Sequence, residues 1–305
     1  MMTPTADILA GLEWIAVDWG TTHLRATAMG AEGPIETRQS DEGMGRLTPA
    51  EFEPALLRLI GSWLPPDRVT DVLACGMVGS RQGWAEAKYR KVPCTPLDQT
   101  GLRTVVTIDK RINVHISPGL SQASPADVMR GEETQIAGAL RLHPSFDGVI
   151  CLPGTHSKWV HVSAGEVVSF QTFMTGEMFD LLSRNSVLRH GMIGEGWDDA
   201  AFEAAVSEAL SRPERLAARL FTLRAEGLLT GLAAGQARSR LSGLLIGTEL
   251  AASKPYWLGQ PILIIGAESL TKLYAKALEM QGVSPRSIPG NACTIAGLAS
   301  LRSPR

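Results

Sequence analysis

Two stretches of this chain carry residue types suited to holding phosphate, and each forms a turn after an apolar run. In the first, Asp18 ends the run and Gly20-Thr21-Thr22 follows, before a segment in which polar and apolar residues alternate. In the second, Gly154-Thr155 takes the same place after another apolar run. Both patterns predict a strand, a tight turn and a returning strand. Such turns can hold phosphate oxygens and a divalent metal, although a plain surface hairpin is the alternative.

These turns suggest phosphoryl transfer, which needs cradled phosphates, a metal near an acid and a group that positions the acceptor hydroxyl. Asp18 is the candidate metal-side acid, acting through bound water, because Mg²⁺ keeps much of its hydration. Glu132 and Glu133 are both candidates for the general base. They open a segment with helical apolar spacing, so surface acids favoured by the helix dipole are the alternative.

Three further polar residues accompany the predicted turns. Arg25 follows the first turn, Lys158 follows the second, and His156 lies within the second. Either cation could neutralise phosphate or hold an acidic substrate, and a solvated strand residue is the alternative for each. Because the net charge of the chain is only −2, an anionic ligand must be held by local groups of this kind.

Two other segments are candidates for ligand contact. A glycine-rich loop follows the strand predicted from Val69 to Ala74, where open α/β sheets bind ligands. Its candidate substrate-binding residues are Gly76, Met77, Gly79, Ser80 and Trp84. Farther along, a strand predicted over 261–265 opens into Gly266, Glu268 and a helix from Leu270 to Met280. That helix start is suited to the nucleoside end of a nucleotide.

The familiar short motifs of other nucleotide-binding and hydrolytic enzymes are missing. There is no GxxxxGK(S/T), so a P-loop is excluded, and no GxGxxG opens a helix after a strand. The chain also lacks GxSxG and HExxH, which argues against a serine hydrolase or a zinc protease.

The remaining pattern predicts two halves, 1–122 and 123–305. A capping box at 48–51 predicts a helix to about Trp63, and short strands are expected over 105–108 and 114–116. Residues 197–253 have the spacing of core-packing helices, and a last helix over 291–301 could pack back on the first half. The proline-rich segment 117–125 is the expected boundary.

Composition limits the classes of function. The chain has 305 residues, 44% of them hydrophobic and 20% charged, with no long basic run. Nucleic acid and anionic membranes are therefore not expected as partners. No apolar run approaches a membrane span, and the segment before Arg25 lacks the basic start of a secretory signal. Four scattered cysteines without a CxxC fit the cytoplasm, and Cys75 and Cys151 are expected in the core.

Taken together, the motifs resemble those of the sugar kinases in the actin, Hsp70 and hexokinase superfamily. Within it, the chain is similar to the 2-dehydro-3-deoxygalactonokinase family. The segments that carry the resemblance are 16–25, 75–80, 130–135, 152–159, 175–177, 242–247 and 266–270. The resemblance implies an α/β fold of two ribonuclease-H-like lobes with a cleft between them, closing on ATP, Mg²⁺ and a sugar acid.

The resemblance also implies roles for individual residues. Asp18 falls on the first phosphate segment of the superfamily and Gly154-Thr155 on the second, while the register makes Glu132 the base, with Glu133 one residue away. Two positions depart from the common pattern. Leu152 stands where many relatives carry an aspartate, so the metal-side acid is expected from Asp18 alone. The base is glutamate rather than aspartate, which moves its carboxylate outward by one methylene.

The predicted reaction is therefore transfer of the γ-phosphoryl group of ATP to the 6-hydroxyl of 2-dehydro-3-deoxy-D-galactonate. Arg25 and the 76–84 loop are expected to face the sugar acid, and a homodimer is possible. Three alternatives remain open: a kinase for another keto sugar acid or hexose, an ATPase or phosphohydrolase on the same fold, and a sugar sensor without catalysis.

Overall fold

The computed structural model describes residues 10–302, which form two compact units. Unit 1 contains the chain up to Phe146, the short segment Ala164–Val168 and the segment from Gly290 onward. Unit 2 contains Asp147–Ser163 and Ser169–Pro289. The first nine residues, part of the stretch predicted to lack a secretory signal, lie outside the described residues.

Both units are built from strands and helices in alternation. The strands are β1 (Trp14–Trp19), β2 (Leu24–Gly30), β3 (Gly33–Ser40), β4 (Thr70–Cys75), β5 (Arg90–Lys91), β6 (Arg103–Val105), β7 (Ile112–Ile116), β8 (Leu120–Ala123), β9 (Ala126–Met129), β10 (Gly148–Leu152), β11 (Ser157–Ser163), β12 (Glu166–Phe173), β13 (Ile262–Gly266) and β14 (Arg286–Pro289). The helices are α1 (Phe52–Ile60), α2 (Glu132–Leu142), α3 (Thr175–Asn185), α4 (Asp199–Ser211), α5 (Leu216–Leu229), α6 (Ala234–Ala252), α7 (Lys254–Trp257), α8 (Glu268–Glu279) and α9 (Gly290–Ser300). None of these helices is long and apolar enough to cross a membrane.

The main sheet of unit 1 has the order β3-β2-β1-β4-β7-β6. Strands β1 to β3 form an antiparallel meander, and β4 and β7 continue the sheet parallel to β1. Because β1 and β4 are central strands covered on both faces, they are nearly continuous in apolar residues. Their buried side chains pack with α1, whose Phe52 contacts Trp19 edge-on at 5.3 Å.

The sheet of unit 2 repeats that arrangement. Its order is β12-β11-β10-β13-β14, with an antiparallel β10–β11 pair and β13 and β14 added in parallel. A three-stranded meander extended by parallel strands is the ribonuclease-H-like order, so the predicted fold class is confirmed. The segment 197–253 is mainly helical, as predicted, and α4 and α6 contribute buried residues to the core of this unit.

The compact units divide the chain differently from the boundary expected at residue 122. That residue lies within β8, which pairs with β9 inside unit 1, so the proline-rich segment forms a hairpin there. The strand expected over 105–108 lies earlier in the chain, because β6 covers Arg103–Val105 and both Val106 and Ile108 are exposed.

Helix α9 explains why α2 belongs to unit 1. The two helices approach so closely that a Cβ atom on Gly138 would overlap the carbonyl oxygen of Cys293. A Cβ atom on Gly297 would likewise overlap the carbonyl oxygen of Thr134. The last helix therefore packs with the first part of the chain, as its sequence suggested, and holds the start of α2 in place.

We predict that Gly138→Ala lowers the free energy of unfolding by about 1–3 kcal/mol or more, because the added methyl group forces the two helices apart. Chemical unfolding of the purified variant measures the effect. Gly227→Ala is the matched control, since that glycine is also helical and a Cβ atom added to it would have no neighbouring atom within 4 Å. The control should be neutral or stabilising by up to about 1 kcal/mol. Equal stability of the two variants would contradict the close packing.

Candidate active site

The first predicted turn joins β1 to β2 in unit 1. Asp18 pairs across the strands with Arg25, and the N–H of Gly20 donates to the carbonyl oxygen of His23 at 3.0 Å. The carbonyl oxygens of the turn accept hydrogen bonds from the backbone N–H groups of residues 43–45. The N–H groups of Thr21 and Thr22 donate no hydrogen bond within residues 10–302, and both residues are exposed. These two donors can therefore bind an anion.

Two glycines with positive φ bring the start of α2 to this turn. Gly76 has φ 93°, and a Cβ atom there would lie 2.8 Å from the carbonyl oxygen of Trp19 and 3.6 Å from Oδ1 of Asp18. Gly131 has φ 107°, and a Cβ atom there would lie 3.4 Å from Cα of Gly76. Only glycine adopts such a conformation at no steric cost. The ends of β1 and β4 and the start of α2 therefore meet at one corner of unit 1.

The carboxylate of Asp18 keeps some access to solvent at this corner. Its side chain is 39% exposed, and a guanidinium nitrogen of Arg25 lies 4.0 Å away. Desolvation by the surrounding protein raises the pKa of Asp18, and the charge of Arg25 opposes that effect. Arg25 also donates a 3.0 Å hydrogen bond to Oε1 of Gln39, so part of its donor capacity is already used.

The two acids that open α2 have different environments. Glu132 is half-buried, and its Oε2 accepts a 3.0 Å hydrogen bond from the N–H of Arg130. Glu133 is fully buried, and its Oε2 accepts from the N–H of Gly131 at 2.6 Å. The hydroxyl groups of Thr134 and Ser117 donate to the other oxygen of Glu133 at 3.0 and 3.4 Å. Glu132 thus retains exposed surface, whereas Glu133 fixes the backbone of the glycine turn.

Burial, together with the smaller effect of the neighbouring charge of Glu132, raises the pKa of Glu133 to about 7. The ordinary value is 4.5, so the folded protein holds this proton more tightly than the unfolded chain. The group therefore costs stability as the pH rises from about 4.5 to 7, by on the order of 3 kcal/mol when fully ionised.

We predict that Glu133→Gln removes this pH dependence, because a glutamine carries no charge, and it can accept from the N–H of Gly131 through its oxygen while its NH2 group donates to the hydroxyl groups of Ser117 and Thr134. The stability of the variant relative to the native protein should increase between pH 5 and pH 8, by up to about 3 kcal/mol. Chemical unfolding of both proteins at the two pH values measures it. A difference that does not change with pH would show that Glu133 does not titrate in this range.

The predicted sugar-binding loop is largely turned into the protein. Gly79 and Ser80 are buried, and Trp84 packs against Phe52 and Trp19, with ring centroids 6.3 and 6.1 Å apart. Met77 remains half-buried. Within this loop, the structure therefore brings Gly76 to the corner that holds Asp18 and places Trp84 in the aromatic core.

The second predicted turn joins β10 to β11 in unit 2, and the first residues of α3 pack on it. The N–H of Glu177 donates to the carbonyl oxygen of Thr155 at 2.9 Å, and Oε2 of Glu177 lies 2.5 Å from Nε2 of His156. A Cβ atom on Gly176 would overlap the carbonyl oxygen of Gly154. Among residues 10–302, the N–H groups of Thr155 and His156 have no acceptor. This turn, like the first, presents two exposed backbone donors.

The other nucleotide candidates lie in the same unit. A Cβ atom on Gly266 would lie 3.3 Å from the carbonyl oxygen of Pro153, so Gly266 borders the second turn. Glu268 points outward and pairs with Lys272 at 2.7 Å, while Lys158 is buried within β11. Beside the turn, a pocket of about 160 Å³ is lined mainly by apolar groups. Its lining includes Gly154, Gly176, Phe179, Trp197, Leu270 and Tyr274.

A buried acid that the sequence reasoning missed anchors the second turn. Glu249 on α6 accepts hydrogen bonds of 2.7 Å from Nε1 of Trp159 and from the hydroxyl of Tyr274. That tyrosine also lies 2.9 Å from Oγ of Ser157, the first residue of β11. Burial raises the pKa of Glu249, and these hydrogen bonds oppose the shift. A single acid within an apolar helical stretch is the sequence signal that could have identified it.

The environment of Asp18 fits a metal ion that is held by one carboxylate together with substrate phosphates and water. Residues 10–302 contain no group of three or more histidine, cysteine or acidic side chains arranged to hold a metal ion. Mg²⁺ is commonly bound by one or two carboxylates together with substrate phosphates and water. A single half-exposed carboxylate beside two free backbone donors is compatible with that mode.

The fold and these sites define a class of protein. Two ribonuclease-H-like units, each with a glycine-threonine turn between its first two strands, are the architecture of the actin-like ATPases and sugar kinases. The chain belongs to the 2-keto-3-deoxy-galactonokinase family, whose model matches residues 18–301.

Individual relatives agree with that family. A protein of Rhizobium meliloti (strain 1021) named as a probable 2-dehydro-3-deoxygalactonokinase is 38% identical over 94% of this chain and 95% of its own length. The 2-dehydro-3-deoxygalactonokinase of Escherichia coli (strain K12) is 36% identical over 94% of this chain and 97% of its own. A crystal structure of a candidate 2-dehydro-3-deoxygalactonokinase from Sinorhizobium meliloti superposes with a TM-score of 0.87, at 36% identity over 94% of this chain and 97% of the other.

Proposed function

We propose that this protein transfers the γ-phosphoryl group of ATP to the 6-hydroxyl of 2-dehydro-3-deoxy-D-galactonate. Membership of the family and the names of its relatives support the substrate class. The observation that carries the chemistry is the corner of unit 1, where Gly76 and Gly131 bring the half-exposed carboxylate of Asp18 next to the start of α2. An acid for the metal and an acid for the acceptor hydroxyl are thereby available in one place.

Glu132 is the general base in this proposal. Its carboxylate accepts the proton of the 6-hydroxyl as that oxygen forms a bond to the γ-phosphorus and the bond from phosphorus to the β–γ bridging oxygen breaks, releasing ADP. Glu133 is a positioning residue, because its buried carboxylate has no surface for substrate and instead holds the N–H of Gly131. Such proton transfer contributes about 10²–10⁴-fold to the rate.

The two glycine-threonine turns hold phosphate oxygens in the proposal. Thr21 and Thr22 in unit 1, and Thr155 and His156 in unit 2, each offer backbone N–H groups without an acceptor among the described residues. The apolar pocket beside Gly154 suits an adenine ring. Asp18 would hold Mg²⁺, which when bound neutralises charge on the transferring phosphoryl group. In this proposal Gly266 borders the nucleotide, and Lys158 and Glu268 contact it less directly.

Release of ADP, measured with and without a panel of sugar acids and hexoses, tests this function. We expect ADP release only when 2-dehydro-3-deoxygalactonate is present, because the hydroxyl of the sugar acid is the acceptor. Release with another sugar alone would favour a different kinase. Release that does not depend on sugar would favour an ATPase, and no release with any sugar would favour a sensor.

We also propose that the enzyme acts in the cytoplasm and forms a homodimer. Its four cysteines are unpaired, which fits a reducing compartment. Light scattering of the purified protein would give the oligomeric state, and a monomer at all accessible concentrations would contradict the dimer.

A further inference from the structure

Arg130 is a buried cation whose donors are largely unused. The residue is 9% exposed, and its Nη2 donates to the carbonyl oxygen of Ala87 at 2.8 Å. Nε and Nη1 are enclosed and have no hydrogen-bond acceptor among the described residues. No carboxylate within residues 10–302 forms an ion pair with this guanidinium. A buried charge without a counter-ion is costly, so a native protein that keeps one calls for an explanation.

The position of Arg130 connects it to both parts of the proposed sugar site. Its own backbone N–H donates to the carboxylate of Glu132, the proposed base. At its other end, Nη1 lies 2.9 Å from where a Cβ atom on Gly79 would be, beneath the glycine-rich loop. The next residue of that loop, Ser80, also has a buried hydroxyl group without a partner among the described residues. Two residues with unsatisfied polar groups therefore lie on adjoining segments, and the backbone of one of them, Arg130, binds the proposed base.

The carboxylate of a sugar acid would supply the acceptor that the guanidinium of Arg130 and the hydroxyl of Ser80 lack. Its carboxylate needs a cation, and arginine binds carboxylates through paired, charge-assisted hydrogen bonds. Arg25, the cation expected from sequence, already lies near Asp18 and donates to Gln39. The guanidinium of Arg130 forms no ion pair with an acid within residues 10–302, and the ring of Tyr89, 4.4 Å away, covers one face while Nε and Nη1, which lie in the plane, keep no acceptor there.

We propose that Arg130 binds the carboxylate of the sugar acid and that the hydroxyl of Ser80 adds a hydrogen bond to it. This inference rests on the proposed function, since it assigns the substrate group that distinguishes a sugar acid from a neutral sugar. Because Nε and Nη1 are enclosed, the segment that carries Gly79 and Ser80 shifts to admit the carboxylate. Arg130 then sets the distance between the carboxylate end of the substrate and the base at the other end.

Steady-state kinetics of Arg130→Met with two substrates tests the proposal. The substrates are 2-dehydro-3-deoxygalactonate and its primary amide, which keeps the same hydroxyl groups but lacks the charge. For the acid, we expect kcat/KM to fall about 10–100-fold, the effect of losing a hydrogen bond to a charged group. For the amide, kcat/KM should change by less than about 3-fold, and the KM for ATP should stay the same. Arg130→Lys, which keeps the charge but not the planar fork, should recover part of the loss.

Arg90→Met is the matched control. Arg90 also donates to a loop carbonyl oxygen, that of Thr95, but it has a carboxylate partner in Asp98. This variant should treat acid and amide alike. If Arg130→Met does not fold, Ser80→Ala tests the same site, with an expected loss of about 3–10-fold for the acid alone. An equal loss for acid and amide in either variant would show that the residue only supports the loop and would overturn the proposal.

Calorimetric titration of the sugar acid without ATP separates this inference from the proposed function. If the wild-type protein binds the acid but does not phosphorylate it, the proposed function fails, while weaker binding to Arg130→Met would still support the carboxylate site. If the wild-type protein phosphorylates the acid and Arg130→Met binds it equally well, the carboxylate site fails alone. If the wild-type protein does not bind the acid, both fail.

Discussion

Replacing Glu132 with glutamine should lower kcat by about 10²–10⁴-fold while leaving the affinity for ATP unchanged. The amide keeps the size of the side chain and can still accept a hydrogen bond from the N–H of Arg130, so the start of α2 should stay in place. What it loses is the ability to take the proton of the acceptor hydroxyl. Single-turnover kinetics, together with equilibrium binding of a fluorescent ATP analogue, measures the two effects separately.

Glu133→Gln is the matched comparison, because the two acids are adjacent in the first turn of α2. In the native protein the carboxylate of Glu133 is fully buried and accepts a hydrogen bond from the N–H of Gly131. The kcat of Glu133→Gln should therefore change far less than that of Glu132→Gln. If Glu132→Gln kept near-normal turnover, Glu132 would not be the base. If only Glu133→Gln lost turnover, Glu133 rather than Glu132 would be the base.

Replacing Asp18 with asparagine should lower activity by at least about 10²-fold, the usual effect of removing one group that stabilises the transition state. In the second turn, Leu152 occupies the place that Asp18 has in the first, so unit 2 has no matching carboxylate there. Titration of Mg²⁺ at saturating ATP should show that the variant needs a higher metal concentration. The asparagine is close in size to the aspartate, so the strand pairing with Arg25 is kept.

Asp41→Asn controls for a general loss of negative charge near this turn. Asp41 is exposed and its Oδ1 lies 3.1 Å from Nδ1 of His23, at the outer side of the same turn. Its replacement should leave the Mg²⁺ dependence unchanged. If the activity of Asp18→Asn barely differed from that of the control, the first turn would have no part in catalysis.

Local patterns predicted the parts of this protein that depend on neighbours in sequence. The alternation of apolar and polar residues around Gly20 and Gly154 predicted both strand pairs, and the apolar spacing after Glu132 predicted α2. The similarity of the two turns pointed to two related units, and the two sheets have the corresponding strand order. In these segments the side-chain period is set by a single local element, so the sequence shows it directly.

Contacts between distant segments were the part that the sequence did not show. Trp84, which was expected to face substrate, also packs on Phe52, far away in sequence, a contact that no local pattern reveals. The boundary expected at residue 122 placed α2 in the second half, whereas α2 belongs to unit 1, where Cys293 of α9 packs on its Gly138. The burial of Arg130 was missed for the same reason, because it depends on the loop around Gly79 and the carbonyl group of Ala87.

Phosphorus NMR follows the γ-phosphoryl group itself and shows directly whether the sugar acid accepts it. With ATP, Mg²⁺ and 2-dehydro-3-deoxygalactonate, we predict one phosphomonoester signal, coupled to the two protons on C6 and equal in amount to the ADP formed. Inorganic phosphate equal in amount to the ADP, with no phosphomonoester signal, would contradict phosphoryl transfer to the sugar acid and identify water as the acceptor.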